Sequence, residues 1–164
     1  MTEYEIKTGD KVEKYHVALL VKKGSEWVQI AKATDNTINL NAETEEVDYI
    51  TDKSATTLIK SYKPSFSSPL TLVKGSPDYD YFFDKFYNLP TGADANGELL
   101  IVYMNEKDAS GNYKAWDCDV TFTIDNLNPV SSQLTVNIQV NGTIRKGTVK
   151  VALGVPTFTP EGTE

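Results

Sequence analysis

Strict alternation of apolar and polar residues is the plainest pattern in the chain. Over residues 112–125, NYKAWDCDVTFTID, Trp116, Cys118, Val120, Phe122 and Ile124 alternate with Asp117, Asp119, Thr121, Thr123 and Asp125. That period of two predicts an antiparallel strand with one buried and one solvated face. QLTVNIQVN (133–141) repeats it, with Leu134, Val136, Ile138 and Val140 inward and Thr135, Asn137, Gln139 and Asn141 outward. Asn141-Gly142 predicts a tight turn into TIRKGTVKVAL. ELLIVYMNE (98–106) and the DASGN turn supply the partner of the first strand, and YHVALLVK (15–22) with EWVQIAK (26–32) predict a further hairpin across Lys23, Gly24 and Ser25. TINLN (37–41) and TLIKSYK (57–63) are shorter strand candidates. Pro64 and Pro69 place PSFSSPLTLVK along a sheet edge or at a bend, because proline offers no ladder donor.

One segment changes period. In SPDYDYFFDKFYNL (76–89), Tyr79, Phe82, Phe83, Phe86 and Tyr87 recur at helical spacing. Ser76 suits the N-cap, Pro77 the first helical position, and Asp78 and Asp80 the positive end of the helix dipole. All five rings are expected to pack on a sheet, as core rather than as a binding platform. About eight to ten strands and one flanking helix (about residues 77–89) predict a mainly β fold, an antiparallel β-sandwich or partly rolled barrel. Residues 1–155 are expected to form a single domain, and PTFTPEGTE (156–164) an extended or disordered tail.

Composition narrows the chemistry. A chain of 164 residues can bury a sizeable core without cross-links, and with Cys118 its only cysteine and His16 its only histidine, neither an internal disulfide nor structural zinc is expected. The N-terminus MTEYEIKTGD lacks the apolar core of a signal peptide and no apolar run would span a bilayer, so synthesis in a reducing cytoplasm without membrane binding is expected. The formal charge of −7 disfavours gripping phosphates but suits a surface that nucleic acid passes without sticking. No phosphate-binding glycine loop, HExxH or GxSxG is present, and no cofactor is implied. His16 is expected at the surface or hydrogen-bonded, and Cys118 as a small buried hydrophobe. Asp117 and Asp119 share a strand face at a spacing open to glycosidase chemistry, although a solvated polar face explains them more simply. Trp27 is the free candidate for a sugar platform, which keeps a carbohydrate-binding β-sandwich open as the alternative.

EEVDYITDKSATT (45–57) fits neither period. Residues 42–56 make a long connection, and such connections are functional or disordered. Val47, Tyr49 and Ile50 are more apolar than a solvated linker needs, which points to burial against another molecule. If that molecule is a second copy, each subunit carries a donor arm and an acceptor surface, a head-to-tail contact that closes into rings.

The run YITDKSATTLIKSYKPSFSSPLTLVKGSPDYDYFFDKFYNL (49–89), followed by ELLIVYMNEKD and DVTFTIDN, resembles the major tail tube proteins of long-tailed, non-contractile bacteriophages. The resemblance implies a structural virion protein without catalysis. Its subunits would form hexameric rings stacked as a tail tube, made in the host cytoplasm and carried in the virion. Its partners would be further copies of itself and tail proteins such as tape measure and terminator proteins, with genomic DNA passing through unbound. Residues 42–56 would be the inter-subunit loop, anchored by Val47, Asp48, Tyr49 and Ile50. The face bearing Asp117, Asp119, Thr121, Thr123, Thr135, Asn137 and Gln139 would line an acidic lumen. The alternative wall, strands 37–41 and 57–63, brings Lys60 and Lys63 and would break a uniformly acidic lining.

Overall fold

In a computed structural model, residues 6–51 and 53–162 are described; residue 52 of the expected inter-subunit loop, residues 1–5 and tail residues 163–164 lie outside that range. Among the described residues the strands are β1 (Val17–Lys23), β2 (Glu26–Gln29), β3 (Ala42–Val47), β4 (Thr56–Tyr62), β5 (Ser65–Thr71), β6 (Asn96–Lys107), β7 (Tyr113–Asn128), β8 (Gln133–Ala152) and β9 (Val155–Pro160). One α-helix, α1 (Pro77–Asn88), lies between β5 and β6. The mainly β, antiparallel fold with a flanking helix is therefore as expected. Seven strands form one sheet in the order β2-β1-β6-β7-β8-β5, with β9 also paired to β8, while β3 and β4 form a separate two-stranded ribbon.

β8 organises the large sheet. Its first part pairs with β5 from Gln133 to Gln139 and its last part with β9 from Gly147 to Ala152, while β7 runs along the other side of both. The tight turn expected at Asn141-Gly142 does not form. Asp119 pairs with Asn141 but Asp117 pairs with Arg145, so β8 carries extra residues there, and Gly142 takes a φ of 62°. This is a bulge, in which glycine supplies the left-handed backbone and the strand bends without ending. The tail is extended as far as Pro160, where β9 pairs with β8 in full register. Gly147 permits the close approach, since a Cβ there would fall on the Thr159 carbonyl oxygen. TINLN forms no strand, and only Asn39 bridges to Ser65.

Two apolar clusters occupy opposite faces of the sheet. The larger joins Leu19, Leu99, Ile101, Cys118, Val120, Phe122, Val136 and Ile138 beneath α1, as the alternation in β7 and β8 predicts. The smaller gathers Ala18, Leu20, Leu100, Val102, Tyr113, Ala115 and Val149, with Trp27, Val151 and Phe158 packed against it.

The helix forms where expected but is rotated. Phe82 is fully buried and meets Phe122 edge-on at 5.8 Å, and Tyr81 and Phe86 pack on the same cluster. Phe83 and Tyr87 face outward, stacked in line with Tyr79 at centroid distances of 5.4 and 6.4 Å. The cause lies in the first turn. Asp78, expected as a dipole charge at the helix start, is buried, and its Oδ2 accepts the backbone N–H groups of Ala31 and Lys32, both at 2.9 Å. A buried carboxylate held by two donors fixes the rotation of the helix more firmly than a marginal gain in ring burial would. Phe82→Ala should lower unfolding free energy by about 3–5 kcal/mol, whereas Tyr87→Ala should change it by less than about 0.5. Urea titrations of both variants, followed by circular dichroism, measure the contrast.

Candidate functional site

The expected inter-subunit loop is a projecting ribbon. β3 and β4 pair from Ala42 opposite Tyr62 to Val47 opposite Thr56, with a bulge between Glu43 and Thr44. The ribbon leaves the sheet at Asn41, whose φ of 47° turns the chain and whose Nδ2 donates to the Lys63 carbonyl and to Ser65 Oγ. Two ion pairs run across it, Lys60 to Glu45 at 3.1 Å and Lys63 to Glu43 at 3.0 Å. The Lys63 ammonium, together with the Ser61 hydroxyl, holds the Glu43 carboxyl below its ordinary pKa.

Both faces of this ribbon carry exposed apolar side chains. Leu58 and Ile59 are neighbours in β4 and so point to opposite faces, yet they are 47% and 56% exposed. Tyr49 is also exposed and Ile50 entirely so. Val47 ends the pairing half-buried, and Asp48, Tyr49 and Ile50 continue from it as the tip. An isolated two-stranded hairpin is marginal in water.

The second candidate surface is the sheet face opposite α1. Cross-strand register sets Thr121 beside Gln139 and Thr123 beside Asn137, and Thr135 follows on the same side of β8. Asn141 Nδ2 donates to Thr121 Oγ1 at 2.7 Å, and Thr121 Oγ1 donates to Asn96 Oδ1 at 2.8 Å. A shallow groove of about 340 Å³ bordered by Asn39, Ser65, Ser67, Thr123, Asn137 and Gln139 continues the face toward β5. All seven sequence-predicted residues of β7 and β8 thus share one surface, and most of it is uncharged amide and hydroxyl.

Asp117 and Asp119 are not a free acid pair. Arg145 Nε donates to Asp117 Oδ2 at 3.0 Å, while its two terminal nitrogens donate to the two oxygens of Asp119 at 2.9 and 3.0 Å. This fork leaves the trio with one net negative charge. The guanidinium holds the Asp119 carboxyl below its ordinary value of 3.8, and the two carboxylates raise the pKa of Arg145. A general acid needs the opposite shift, so the geometry does not support the glycosidase alternative. Arg145 was hidden by the turn expected at Gly142, because only the bulge brings it opposite Asp117.

The remaining candidates are in structural positions. Trp27 packs on the smaller cluster with the Lys22 ammonium 5.6 Å from its ring centre, so it is not a free sugar platform. His16 is buried, and its Nδ1 accepts the Glu13 backbone N–H at 2.8 Å. Cys118 is buried as expected, and burial pushes its thiol up to about 12.

Arg145→Met should destabilise the fold by about 1–3 kcal/mol, because the partly buried Asp117 loses its donor. It should also flatten the acid limb of stability against pH. The folded pKa of Asp119 is lowered, so its contribution is full above the unfolded value near 4 and is lost as pH falls through the folded one. Thermal unfolding of wild type and variant from pH 2 to 7 measures both effects.

No family model and no curated protein matches the sequence. The fold has solved counterparts. A chain from the tail of an empty GTA particle, refined with C6 symmetry, superposes with a TM-score of 0.58 at 12% identity, covering 82% of this chain and 97% of that one. A chain from the sheath-tube complex of an extracellular contractile injection system (PVC), in its extended state, gives 0.53 at 10% identity, covering 87% and 95%. One of these counterparts is contractile, so the likeness does not single out the non-contractile type that the sequence resembles. What the chain shares with them, over nearly their whole length, is the fold.

Proposed function

We propose that this protein is a structural tail tube subunit: its copies close into hexameric rings, and the rings stack into a conduit for DNA. The observation that carries the proposal is the β3–β4 ribbon, which exposes apolar side chains on both faces with no further strand paired to it among the described residues. The fold likeness to chains from a tail and from a sheath-tube complex supports it, as does the coverage of nearly all of each counterpart. In this proposal the ribbon, ending in Val47, Asp48, Tyr49 and Ile50, bridges neighbouring subunits. The face bearing Thr121, Thr123, Thr135, Asn137 and Gln139 lines the bore, and α1 lies on the opposite side of the sheet.

The character of that bore differs from a strongly acidic wall. Arg145 offsets half the charge of Asp117 and Asp119, Lys22 pairs with the neighbouring Glu98, and Thr121, Thr123, Thr135, Asn137 and Gln139 are neutral. Amide and hydroxyl groups paired to one another across strands offer DNA phosphates no fixed cation, while the overall charge of −7 opposes adsorption at longer range. The protein acts as a wall, without catalysis. Tape measure and terminator proteins would be its partners at the ends and inside the tube, and the virion tail its location after assembly in the host cytoplasm.

Deleting residues 44–53 should leave a folded monomer that forms no rings, because the large sheet takes no strand from the ribbon. Electron microscopy of concentrated wild-type protein should show rings or tubes of uniform bore. Tubes formed normally by the deletion variant, or a wild type that stays monomeric at every concentration, would overturn the proposal.

A further inference from the structure

The α1 side of the sheet carries a basic strip beyond the reach of the helix. Cross-strand register places Tyr103 beside Lys114, Trp116 beside Lys146 and Lys114 beside Thr148, with Lys150 two residues further along β8. Lys114, Lys146 and Lys150 are exposed, and among the described residues no carboxylate forms an ion pair with any of them. Beside them lie the half-buried rings of Tyr103 and Trp116, edge to face at 5.4 Å. The strip is thus cationic and aromatic at once.

The ribbon tip has the complementary character. Glu43 and Glu45 are neutralised by Lys63 and Lys60, but Glu46 and Asp48 pair with no cation among the described residues. They precede the apolar tip residues Tyr49 and Ile50, with Lys53 following beyond. Glu46 and Asp48 are two residues apart, roughly 7 Å in extended chain, and Lys114 lies diagonally across from both Lys146 and Lys150, a comparable spacing of roughly 7–8 Å. The other large apolar surface, the outward rings Tyr79, Phe83 and Tyr87, is bordered by Asp80 and Asp84 and would repel an acidic tip.

We infer that the acceptor for the ribbon of one copy is this strip on the next copy: Glu46 and Asp48 pair with Lys114, Lys146 and Lys150, and Tyr49 and Ile50 settle on Tyr103 and Trp116. The contact presupposes the tube subunit proposed above. It is heterologous, with donor and acceptor on different surfaces of one chain, which is the arrangement that closes into rings or extends into filaments.

Two charge-reversed proteins test it. One carries Lys114→Glu, Lys146→Glu and Lys150→Glu; the other carries Glu46→Lys and Asp48→Lys. All five side chains are at the surface, and circular dichroism with thermal melts verifies that both variants fold. Each alone should lose sedimentable polymer by about tenfold or more, because like charges then face each other at every contact. Mixed in equal amounts they should recover polymer to within about threefold of wild type, since each variant's tip matches the other's strip. Either variant polymerising normally on its own, or a mixture as inactive as its components, overturns the docking while leaving the tube proposal standing. A wild type that never polymerises removes both.

Discussion

Sixteen residues of β7 run against the twenty of β8, and every other strand of the large sheet attaches to this pair directly or through β6. The pairing has to satisfy two demands. It must present an apolar face to α1 along Cys118, Val120 and Phe122, and it must turn toward β9 so that Val149 and Phe158 reach the second cluster on the other side. Alternation along both strands serves the two faces, and the bulge at Gly142 bends β8 and locally interrupts the ladder, which resumes with Arg145 opposite Asp117. The same bulge delivers Arg145 to Asp117 and Asp119, so the electrostatics of the polar face follow from a backbone irregularity.

The two halves of the molecule have different relations to solvent. The sheet and helix bury Phe82, Leu99, Ile101 and Val136 almost completely and owe nothing to neighbours. The ribbon exposes Leu58, Ile59 and Ile50 and takes its order from its pairing, two ion pairs and the anchor at Asn41. A subunit divided in this way can fold before it assembles. Surface ion pairs contribute little to stability, so in the proposed tube the ribbon would adjust to its acceptor while the sheet behind it is already packed.

Much of this was legible in the sequence. The alternation in 112–125 and 133–141 located the two central strands and their inward residues, because a half-buried strand leaves a period of two wherever one face is dry. The helix limits followed from Ser76, Pro77 and the change of period. Its rotation did not: five aromatic residues allow several inward arcs, and the choice among them was made by Asp78 reaching the backbone of Ala31 and Lys32, a contact across more than 40 positions. AETEEV was not read as a strand because glutamate is a poor strand former, and its pairing with β4 came from context. The Asn141-Gly142 turn failed for a related reason. The dipeptide does encode a left-handed glycine, but a hairpin and a bulge require the same local conformation, and only the partner strand separates them. Candidate surfaces fared similarly: the members of the polar face were visible as outward positions, while the arginine that pairs with its acids was not.

Cys118 lies sealed between Trp116 and Val120 on the inner side of β7, with no exposed surface. Thiol reagents act on the thiolate, and at neutral pH a group whose pKa has risen to about 12 supplies almost none of it. Cys118 of the folded chain is therefore a poor target for maleimides. A cysteine engineered at any exposed position would be its sole reactive handle, so a polymer of such subunits could carry one dye or cargo per copy without the native thiol being masked first.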